Sequence, residues 1–221
     1  MLYVILLLLA YLIGSLCSAV ILSRVFYGID IRKYGSHNPG ANNVQRVLGW
    51  KMGVLVFLLD GLKGVAAVSL VGLTDIPPGT EWYEGFRIML GMAAVLGHIF
   101  PVFFRFKGGK GVATIVGILC ILHPWTALIC LGVFFVFFLL TRYVSLSVLL
   151  AVTFYPIFIN LLFELLLGHK ETLTIQIFSV VISVVLWLTH VSNIKRLLQG
   201  KEEKFSFRKP VTPVISYKNS R

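Results

Sequence analysis

Long apolar runs separated by short polar loops dominate this chain of 221 residues. A membrane-spanning helix needs about 20 mostly apolar residues, and five runs meet that requirement: residues 2–22, 52–73, 86–104, 144–167 and 173–191. Only 13% of the residues are charged, whereas soluble domains carry about 25%. A water-soluble globule could not cover its surface with so few charges. The sequence therefore predicts an all-α, polytopic integral membrane protein.

A sixth apolar run, residues 112–140, is too short for two full-length crossings, yet His123-Pro124-Trp125 interrupts it. Proline removes a backbone donor and disfavours helix at the residue before it. Two short spans also suit the tendency of Lys and Arg to concentrate on the cytoplasmic side. With two spans, 17 of the 20 basic residues lie on one face, Arg87 and Lys170 lie on the other, and Lys63 is within a span. We therefore predict seven transmembrane helices with an external N-terminus and a cytoplasmic C-terminus.

The ends of the chain carry weaker signals. The first apolar run lacks a basic leader and meets its first positive charge at Arg24, so we expect an uncleaved span. Composition changes only near Lys195, which predicts one transmembrane domain, residues 1–200, and a basic cytoplasmic tail, residues 201–221. From Lys195 onward, eight basic residues face only Glu202 and Glu203. We expect a partly disordered tail attracted to anionic lipid, by about 1 kcal/mol per basic residue.

The net charge of +11 in so apolar a chain indicates a membrane-lipid surface as partner and argues against nucleic acid. Cys17, Cys120 and Cys130 all lie in apolar runs without a Cys-x-x-Cys pair, and are interpreted as packing residues. The predicted cytoplasmic side has no cluster of carboxylates or histidines. We therefore predict neither a metal site nor a cofactor.

The first polar stretch, residues 35–46, combines Gly35, Gly40 and several amides with Arg46. Glycine permits close backbone approach, and Asn42 or Asn43 could cap a helix beginning at Val44. A helix N-terminus with an arginine one turn in is a recipe for binding phosphate. An ordinary polar turn between two spans is the alternative.

The second polar stretch, residues 97–114, contains Gly108-Gly109-Lys110-Gly111 where a helix opens. Exposed backbone donors, a lysine charge and a helix N-terminus can cradle phosphate, although the spacing is not that of a Walker A motif. Lys107 and Lys110 could instead only anchor the chain at the membrane face. His98, within the apolar run, could line a cavity or simply pack.

The third polar stretch places His190 and Asn193 at i, i+3, on one face of the last helix. A histidine at a helix end can equally be structural. Asp60 and Lys63, also at i, i+3, lie inside a span, where they are functional candidates or an ion pair between helices. Ser145 follows an interfacial tyrosine and could reach a cytoplasmic pocket. Two further polar residues, Asn160 and Glu164, are interpreted as helix-packing or interface residues.

These stretches, in this order, resemble the bacterial acyl-phosphate:glycerol-3-phosphate acyltransferases, the PlsY family. The resemblance covers roughly residues 4–203. Its motifs are Gly35-Ser36-x-Asn38-x-Gly40-Ala41-x-Asn43, His98 through Thr114, His190-x-x-Asn193-Ile194-x-Arg196-Leu197-Leu198-x-Gly200, Asp60-x-x-Lys63-Gly64 and Arg142-Tyr143-Val144-Ser145. The chain departs from the family pattern at His37, usually glycine, at Asn42, usually threonine, and at Val191 and Ser192, where the family usually has Arg-Glu.

The resemblance implies a seven-helix enzyme of the bacterial inner membrane whose active site faces the cytoplasm. It implies transfer of a fatty acyl group from acyl phosphate to the 1-hydroxyl of glycerol 3-phosphate, giving lysophosphatidic acid and phosphate, the first step of phospholipid synthesis. The enzyme that makes acyl phosphate becomes a candidate partner. The implied catalytic residues, holding the donor phosphate, are Ser36, Arg46, Lys110, His190 and Asn193. The implied substrate-binding residues are Gly35, Asn38, Gly40, Asn43, Lys63, His98, Lys107, Gly108, Gly109 and Ser145.

One absence and one alternative complete the functional hypothesis. Coenzyme A-dependent glycerolipid acyltransferases use His-x-x-x-x-Asp, and no histidine here has aspartate five residues later. An acyl phosphate is already activated, so no covalent nucleophile is needed. A base would be His190 or a phosphate oxygen of the acceptor. The alternative is a transporter or channel for phosphorylated solutes; such proteins often contain internal repeats, and none is visible here.

Overall fold

A computed structural model describes residues 1–162, 165, 168 and 171–206. These residues form ten α-helices, joined by short 3₁₀ and π turns, and the described part of the chain contains no strand. In chain order the helices are α1 (Leu2–Gly14), α2 (Ser18–Tyr27), α3 (Ala41–Leu48), α4 (Trp50–Ser69), α5 (Glu81–Ile99), α6 (Val112–Leu122), α7 (Pro124–Thr141), α8 (Val144–Ile157), α9 (Leu173–Thr189) and α10 (Val191–Leu198). The all-α prediction is confirmed.

The first predicted span, residues 2–22, is not continuous. It divides into α1 and α2, which meet at a bend of 42°. The bend leaves the carbonyl oxygen of Leu16 without an intrahelical partner, and Nζ of Lys63 on α4 donates to it at 3.0 Å. A long-range contact therefore satisfies the backbone at the break, as a polar group inside a membrane requires.

The sixth predicted run, residues 112–140, breaks as expected. α6 ends at Leu122, and α7 begins at Pro124, in the first helical turn, where proline's missing N–H costs nothing. α7 has 18 residues, whereas α6 has only 11. At 1.5 Å per residue, α6 is roughly 17 Å long, well short of the ~30 Å hydrocarbon core.

Four helices in the described residues, with their terminal turns, are long and apolar enough to span a membrane: Trp50–Leu73, Glu81–Phe104, Pro124–Thr141 and Val144–Leu161. The number rises to six if each bent pair is one span, namely α1 with α2 and α9 with α10, which are bent by 60°. A count of seven requires α6 as an additional short crossing.

α4 and α6 pack through small residues. A Cβ on Gly117 of α6 would overlap the backbone of Gly61 on α4, and a Cβ on Gly64 of α4 would overlap the carbonyl of Thr114 on α6. Because glycine lets helix backbones approach closely inside membranes, α6 fits tightly against the middle of α4. The start of α6, where Lys110 lies, is thereby fixed relative to the bundle.

The C-terminal end of α8 continues into a π turn, Phe158–Leu162, after Pro156 inside the helix. The side-chain amide of Asn160 donates to the Pro156 carbonyl oxygen at 2.7 Å and to Oγ of Ser179 on α9 at 3.4 Å. Asn160 is thus a helix-packing residue, as predicted. Its proposed neighbour Glu164 lies outside the described residues, as does Lys170.

Candidate active site

The three polar stretches meet at one end of the bundle, around a cavity of about 860 Å³. The first runs into the start of α3, the second runs into the start of α6, and the third begins at the bend between α9 and α10. Most of the predicted site residues line this cavity: Gly35, Ser36, Asn38, Gly40, Asn43, Arg46, His98, Lys110, Ser145, His190 and Asn193. Four predicted site residues do not line it: Lys63, Lys107, Gly108 and Gly109.

The buried side chain of Asn43 fixes the shape of the first stretch. Its Oδ1 accepts the backbone N–H of Ser36 at 2.8 Å, and its Nδ2 donates to the carbonyl oxygens of Ile31 and Tyr34 at 3.3 and 3.0 Å. A buried amide with three bonds of this kind holds the loop in one conformation. Asn43 therefore positions Ser36 at the cavity mouth.

The prediction that Asn42 or Asn43 caps a helix beginning at Val44 is wrong. α3 begins earlier, at Ala41, with Gly40 as the N-cap residue and no side-chain cap. The amide of Asn43 is instead used by the preceding loop, so it is unavailable for capping. Arg46 consequently lies in the second turn of α3.

His37 shows why the family usually has glycine at this position. Its φ is +60°, in the left-handed region that favours glycine. A hydrogen bond between its Nδ1 and the carbonyl oxygen of Arg32, at 3.1 Å, holds the histidine there. Of the other departures, Asn42 lines the cavity, whereas Val191 and Ser192 are exposed residues of α10 that do not.

Arg32 joins the first stretch to the second, a link that the sequence did not reveal. Its Nε and Nη2 donate to the two carboxylate oxygens of Asp30, and its Nη1 donates to the carbonyl oxygen of Phe104 at 3.0 Å. Arg24 also pairs with Asp30, at 2.7 Å. These bonds, led by those from Arg32, hold the pKa of the Asp30 carboxyl well below its usual range.

Backbone contacts determine the shape of the second stretch. The N–H groups of Gly108 and Gly109 donate to the carbonyl oxygens of Ile99 and His98, at 3.1 and 3.0 Å. A Cβ at Gly109 would overlap the imidazole of His98, and one at Gly108 would overlap the His98 carbonyl. The two glycines thus pack against His98 and do not line the cavity. Lys107 is exposed.

Lys110 is the basic side chain that this loop brings into the cavity. Its Nζ donates to Oδ1 of Asn193, and its carbonyl oxygen accepts from Oγ1 of Thr189 at 3.2 Å. Burial lowers the pKa of Lys110 to about 8, with a further decrease from Arg196 that Glu202 opposes. A partly desolvated ammonium at the start of α6 is well placed to attract an anion.

His190, at the bend between α9 and α10, presents one nitrogen to the cavity. Its Nδ1 lies 2.8 Å from the carbonyl oxygen of Leu186. Since a carbonyl only accepts, Nδ1 must carry the proton. In the neutral ring Nε2 then holds a lone pair and can act as a hydrogen-bond acceptor or base.

Asp60 and Lys63 form an ion pair of 2.9 Å inside the bundle, and Nδ1 of His98 lies 3.8 Å from the same Asp60 oxygen. Lys63 also binds the Leu16 carbonyl, so its contacts are with the protein at the α1–α2 break. Asp60 and His98 reach the cavity wall, whereas Lys63 does not. The described residues contain no group of three or more His, Cys, Asp and Glu side chains that could hold a metal ion.

The beginning of the tail also contributes to the site, through two residues that sequence reasoning did not select. Glu202 accepts hydrogen bonds from Ser145, Asn193 and Arg196, and Glu203 forms an ion pair of 2.9 Å with Arg46. The only signal in the sequence is an acidic pair in an otherwise basic segment. Residues 207–221, the rest of the predicted tail, lie outside the described residues.

Below its polar mouth the cavity becomes apolar. Its lining on α8 includes Ser145, Val148, Val152 and Tyr155, whose spacing marks one helix face. Facing residues come from α6 and α7, including Leu119, Leu131 and Phe134 at its wall. Ser145 and Tyr155 are ten residues apart, which corresponds to about 15 Å along a helix. The cavity thus joins anion-binding groups to an apolar groove long enough for much of a fatty acyl chain.

Comparisons with known proteins agree with this geometry. A family model described as glycerol-3-phosphate acyltransferase matches residues 4–200. A curated relative with that description from Chlorobaculum tepidum is 40% identical over 218 residues, covering 90% of this chain and 94% of the relative. Another from Salinibacter ruber is 37% identical over 220 residues, covering 96% of each.

Two crystal structures of PlsY, an integral membrane glycerol 3-phosphate acyltransferase, are also similar. The glycerol 3-phosphate form gives a TM-score of 0.79 at 38% identity, covering 92% of this chain and 96% of that one. The lysophosphatidic acid form gives 0.77 at 37% identity, covering 93% and 96%. This chain belongs to the glycerol-3-phosphate acyltransferase family. Together with its apolar helices, the likeness to an integral membrane member identifies a multi-pass membrane protein. The relatives give no support to the transporter alternative.

Proposed function

We propose that this chain transfers a fatty acyl group from acyl phosphate to the 1-hydroxyl of glycerol 3-phosphate, releasing lysophosphatidic acid and inorganic phosphate. The observation that carries the proposal is the continuity of the cavity. Its mouth holds Arg46, Lys110 and the backbone of two loops, and its floor is an apolar groove. Both substrates are phosphorylated, and only the donor has a long apolar chain. The relatives act on glycerol 3-phosphate, as their descriptions state.

The donor phosphate would lie at the mouth, held by Arg46, Lys110, Ser36 and Asn193. The acceptor hydroxyl oxygen attacks the acyl carbonyl carbon, the bond between that carbon and the phosphate oxygen breaks, and the electron pair leaves with phosphate. The positive charges stabilise the departing anion, and the loops align the acceptor. The hydroxyl proton passes to Nε2 of His190 or to a phosphate oxygen of the acceptor. No covalent enzyme intermediate is required.

The proposal includes seven spans, an external N-terminus and a site facing the cytoplasm of the bacterial inner membrane. The cavity mouth lies among the loops that carry most of the basic residues, as expected for the cytoplasmic side. Cysteines introduced at the exposed residues Lys33 and Glu81 test this orientation in intact cells. An impermeant maleimide should label Glu81→Cys and not Lys33→Cys. The reverse pattern would overturn the orientation.

The test of the activity is an assay of the purified full-length chain in detergent with palmitoyl phosphate and glycerol 3-phosphate. We expect equimolar lysophosphatidic acid and phosphate. Palmitoyl-CoA in place of palmitoyl phosphate, and glycerol in place of glycerol 3-phosphate, should each give at most a few per cent of that rate. An absence of phosphate release, or equal turnover with palmitoyl-CoA, would refute the proposed donor.

A further inference from the structure

Glu202 occupies a position that no sequence motif of the site predicts. It is the second residue of the tail that follows α10, yet its side chain is only 7% exposed. Oε1 accepts from Oγ of Ser145 at 2.7 Å and from Nδ2 of Asn193 at 2.6 Å, and Oε2 accepts from Nε of Arg196 at 2.7 Å. These bonds hold the pKa of the Glu202 carboxyl below its usual value, against the effect of burial.

An ionised carboxylate can only accept hydrogen bonds. The Asn193 amide must therefore turn its nitrogen toward Glu202, which turns its Oδ1 the other way. That oxygen accepts from Nζ of Lys110. Since the lysine ammonium can only donate, the chain from Glu202 through Asn193 to Lys110 has one consistent arrangement of donors and acceptors.

We propose that Glu202 is a positioning residue of the acyl transfer: it fixes the amide of Asn193 so that this amide directs the Lys110 ammonium toward the donor phosphate. The inference rests on the proposed function and adds a residue of the tail to the same site. Glu202 itself touches neither substrate. It acts through Asn193 on Lys110.

The backbone around Glu202 is held by contacts that do not involve the carboxylate. The N–H of Phe205 donates to the Arg142 carbonyl oxygen at 2.7 Å, and its ring meets the Phe138 ring edge-on at 5.2 Å. Lys204 lies over the ring of Tyr143 at 5.5 Å. The tail segment 201–206 therefore packs against α7 and the start of α8. This packing holds Glu202 at the site.

Glu203 provides an internal comparison. It is 68% exposed, and within the described part of the chain its side chain pairs with Arg46 alone. An exposed ion pair is weakened by water and salt. Glu203 can leave Arg46 when a phosphate arrives, whereas Glu202 is buried and has three donors around it. A change from glutamate to glutamine at each position removes the same charge in two different environments.

The charge of Glu202 has a measurable consequence for Lys110. Among the described residues, the charged or titratable side chains around Lys110 are Arg196, His190 and Glu202. Burial and Arg196 both lower the pKa of Lys110, and Glu202 is the group that raises it. Loss of the Glu202 charge therefore lowers the Lys110 pKa further, and the ammonium loses its proton at lower pH.

The experiment measures kcat/KM for palmitoyl phosphate against pH in wild type, Glu202→Gln, Glu202→Asp and Glu203→Gln. The pH dependence of kcat/KM reports groups of the free enzyme. Wild-type activity should decline as pH rises through about 8, the pKa of Lys110. For Glu202→Gln we expect this alkaline limb roughly one pH unit lower, with kcat reduced about tenfold or more at pH 8. Glu203→Gln should keep the wild-type limb.

Glu202→Asp keeps the charge and shortens the side chain, so its limb should stay near that of wild type while kcat falls. Glu202→Asp also tests the inference if Glu202→Gln does not fold, which size exclusion and thermal unfolding would show. A wild-type limb and rate in Glu202→Gln would overturn the inference. So would a higher kcat/KM with a lower KM for palmitoyl phosphate, which would show that Glu202 competes with the donor phosphate. If wild type itself makes no lysophosphatidic acid, it is the proposed function that fails.

Discussion

The loop before α3 (the helix that carries Arg46) and the loop before α6, which carries Lys110, both border the cavity mouth, but different parts of the chain determine their shapes. In the first loop, side chains do so: Asn43 binds three backbone groups and Arg32 bridges to Asp30. In the second loop, backbone hydrogen bonds determine the shape, and Gly108 and Gly109 pack against His98. Substitutions in the first loop should therefore lower the activity by an amount that depends on the number of hydrogen bonds lost. Atoms added to the second loop should instead displace the loop itself.

The largest effect is expected for Lys110→Ala. Lys110 is the half-buried cation of the second loop, and its removal takes away a charge aimed at the leaving phosphate. We expect kcat/KM to fall at least about 100-fold, while the protein stays membrane-inserted and monodisperse in detergent. The matched control is Lys33→Ala, which removes an exposed lysine that does not line the cavity. Activity near that of wild type would remove Lys110 from the site.

The next largest effect is expected for Gly109→Ala, which tests whether the second loop tolerates one added carbon. The new Cβ overlaps the His98 ring, and the backbone bond from Gly109 to His98 prevents a simple shift. Such overpacking costs about 1–3 kcal/mol, so kcat/KM should fall roughly 5- to 100-fold and the unfolding temperature should drop. Gly132→Ala, in open space on α7, should change neither by much. Equal kcat/KM and equal unfolding temperatures in the two variants would show that the second loop tolerates the added carbon.

Sequence reasoning succeeded where the deciding interactions are local. Apolar run lengths located the helices, the His123-Pro124 pair marked the break between α6 and α7, and glycine-rich segments marked the loops. The family itself was recognisable from five motifs and is confirmed. These features depend on neighbouring residues or on composition, which the sequence displays directly.

Sequence reasoning failed where a residue far away in the chain determines the local structure. Nothing in Ser15-Leu16-Cys17 marks a helix break, because the carbonyl freed there is satisfied by Lys63, 47 positions away. Glu202 looks like one charge in a basic tail until the fold brings Ser145, 57 positions away, within hydrogen-bond distance. Asn43 was predicted near the phosphate, but not as the residue that fixes the loop. Long-range pairing of polar groups is what a single sequence does not display.

A smaller effect is expected for Asn43→Asp, which probes the side-chain support of the first loop. The aspartate keeps one acceptor for Ser36 but turns a carboxylate oxygen toward the carbonyls of Ile31 and Tyr34. Loss of one or two hydrogen bonds, at about 1 kcal/mol each, predicts a 5- to 30-fold lower kcat/KM, mainly through a higher KM for palmitoyl phosphate. Asn160→Ala, which removes comparable bonds at the other end of the bundle, should lower the unfolding temperature without changing KM. A higher KM in both variants would show a general loss of stability instead.

The smallest effect is expected for Arg32→Lys, which weakens the connection between the two loops. Arginine donates to both Asp30 oxygens and to the Phe104 carbonyl at once, and lysine cannot reproduce this planar arrangement. We expect kcat/KM to fall about two- to fivefold, with faster hydrogen–deuterium exchange in both loops. The control Arg24→Lys alters an exposed side chain that pairs with the same Asp30 but does not reach the second loop. It should leave exchange in residues 98–111 unchanged. If exchange in Arg32→Lys became faster in the first loop only, the two loops would be supported independently. Arg32 would then not connect them.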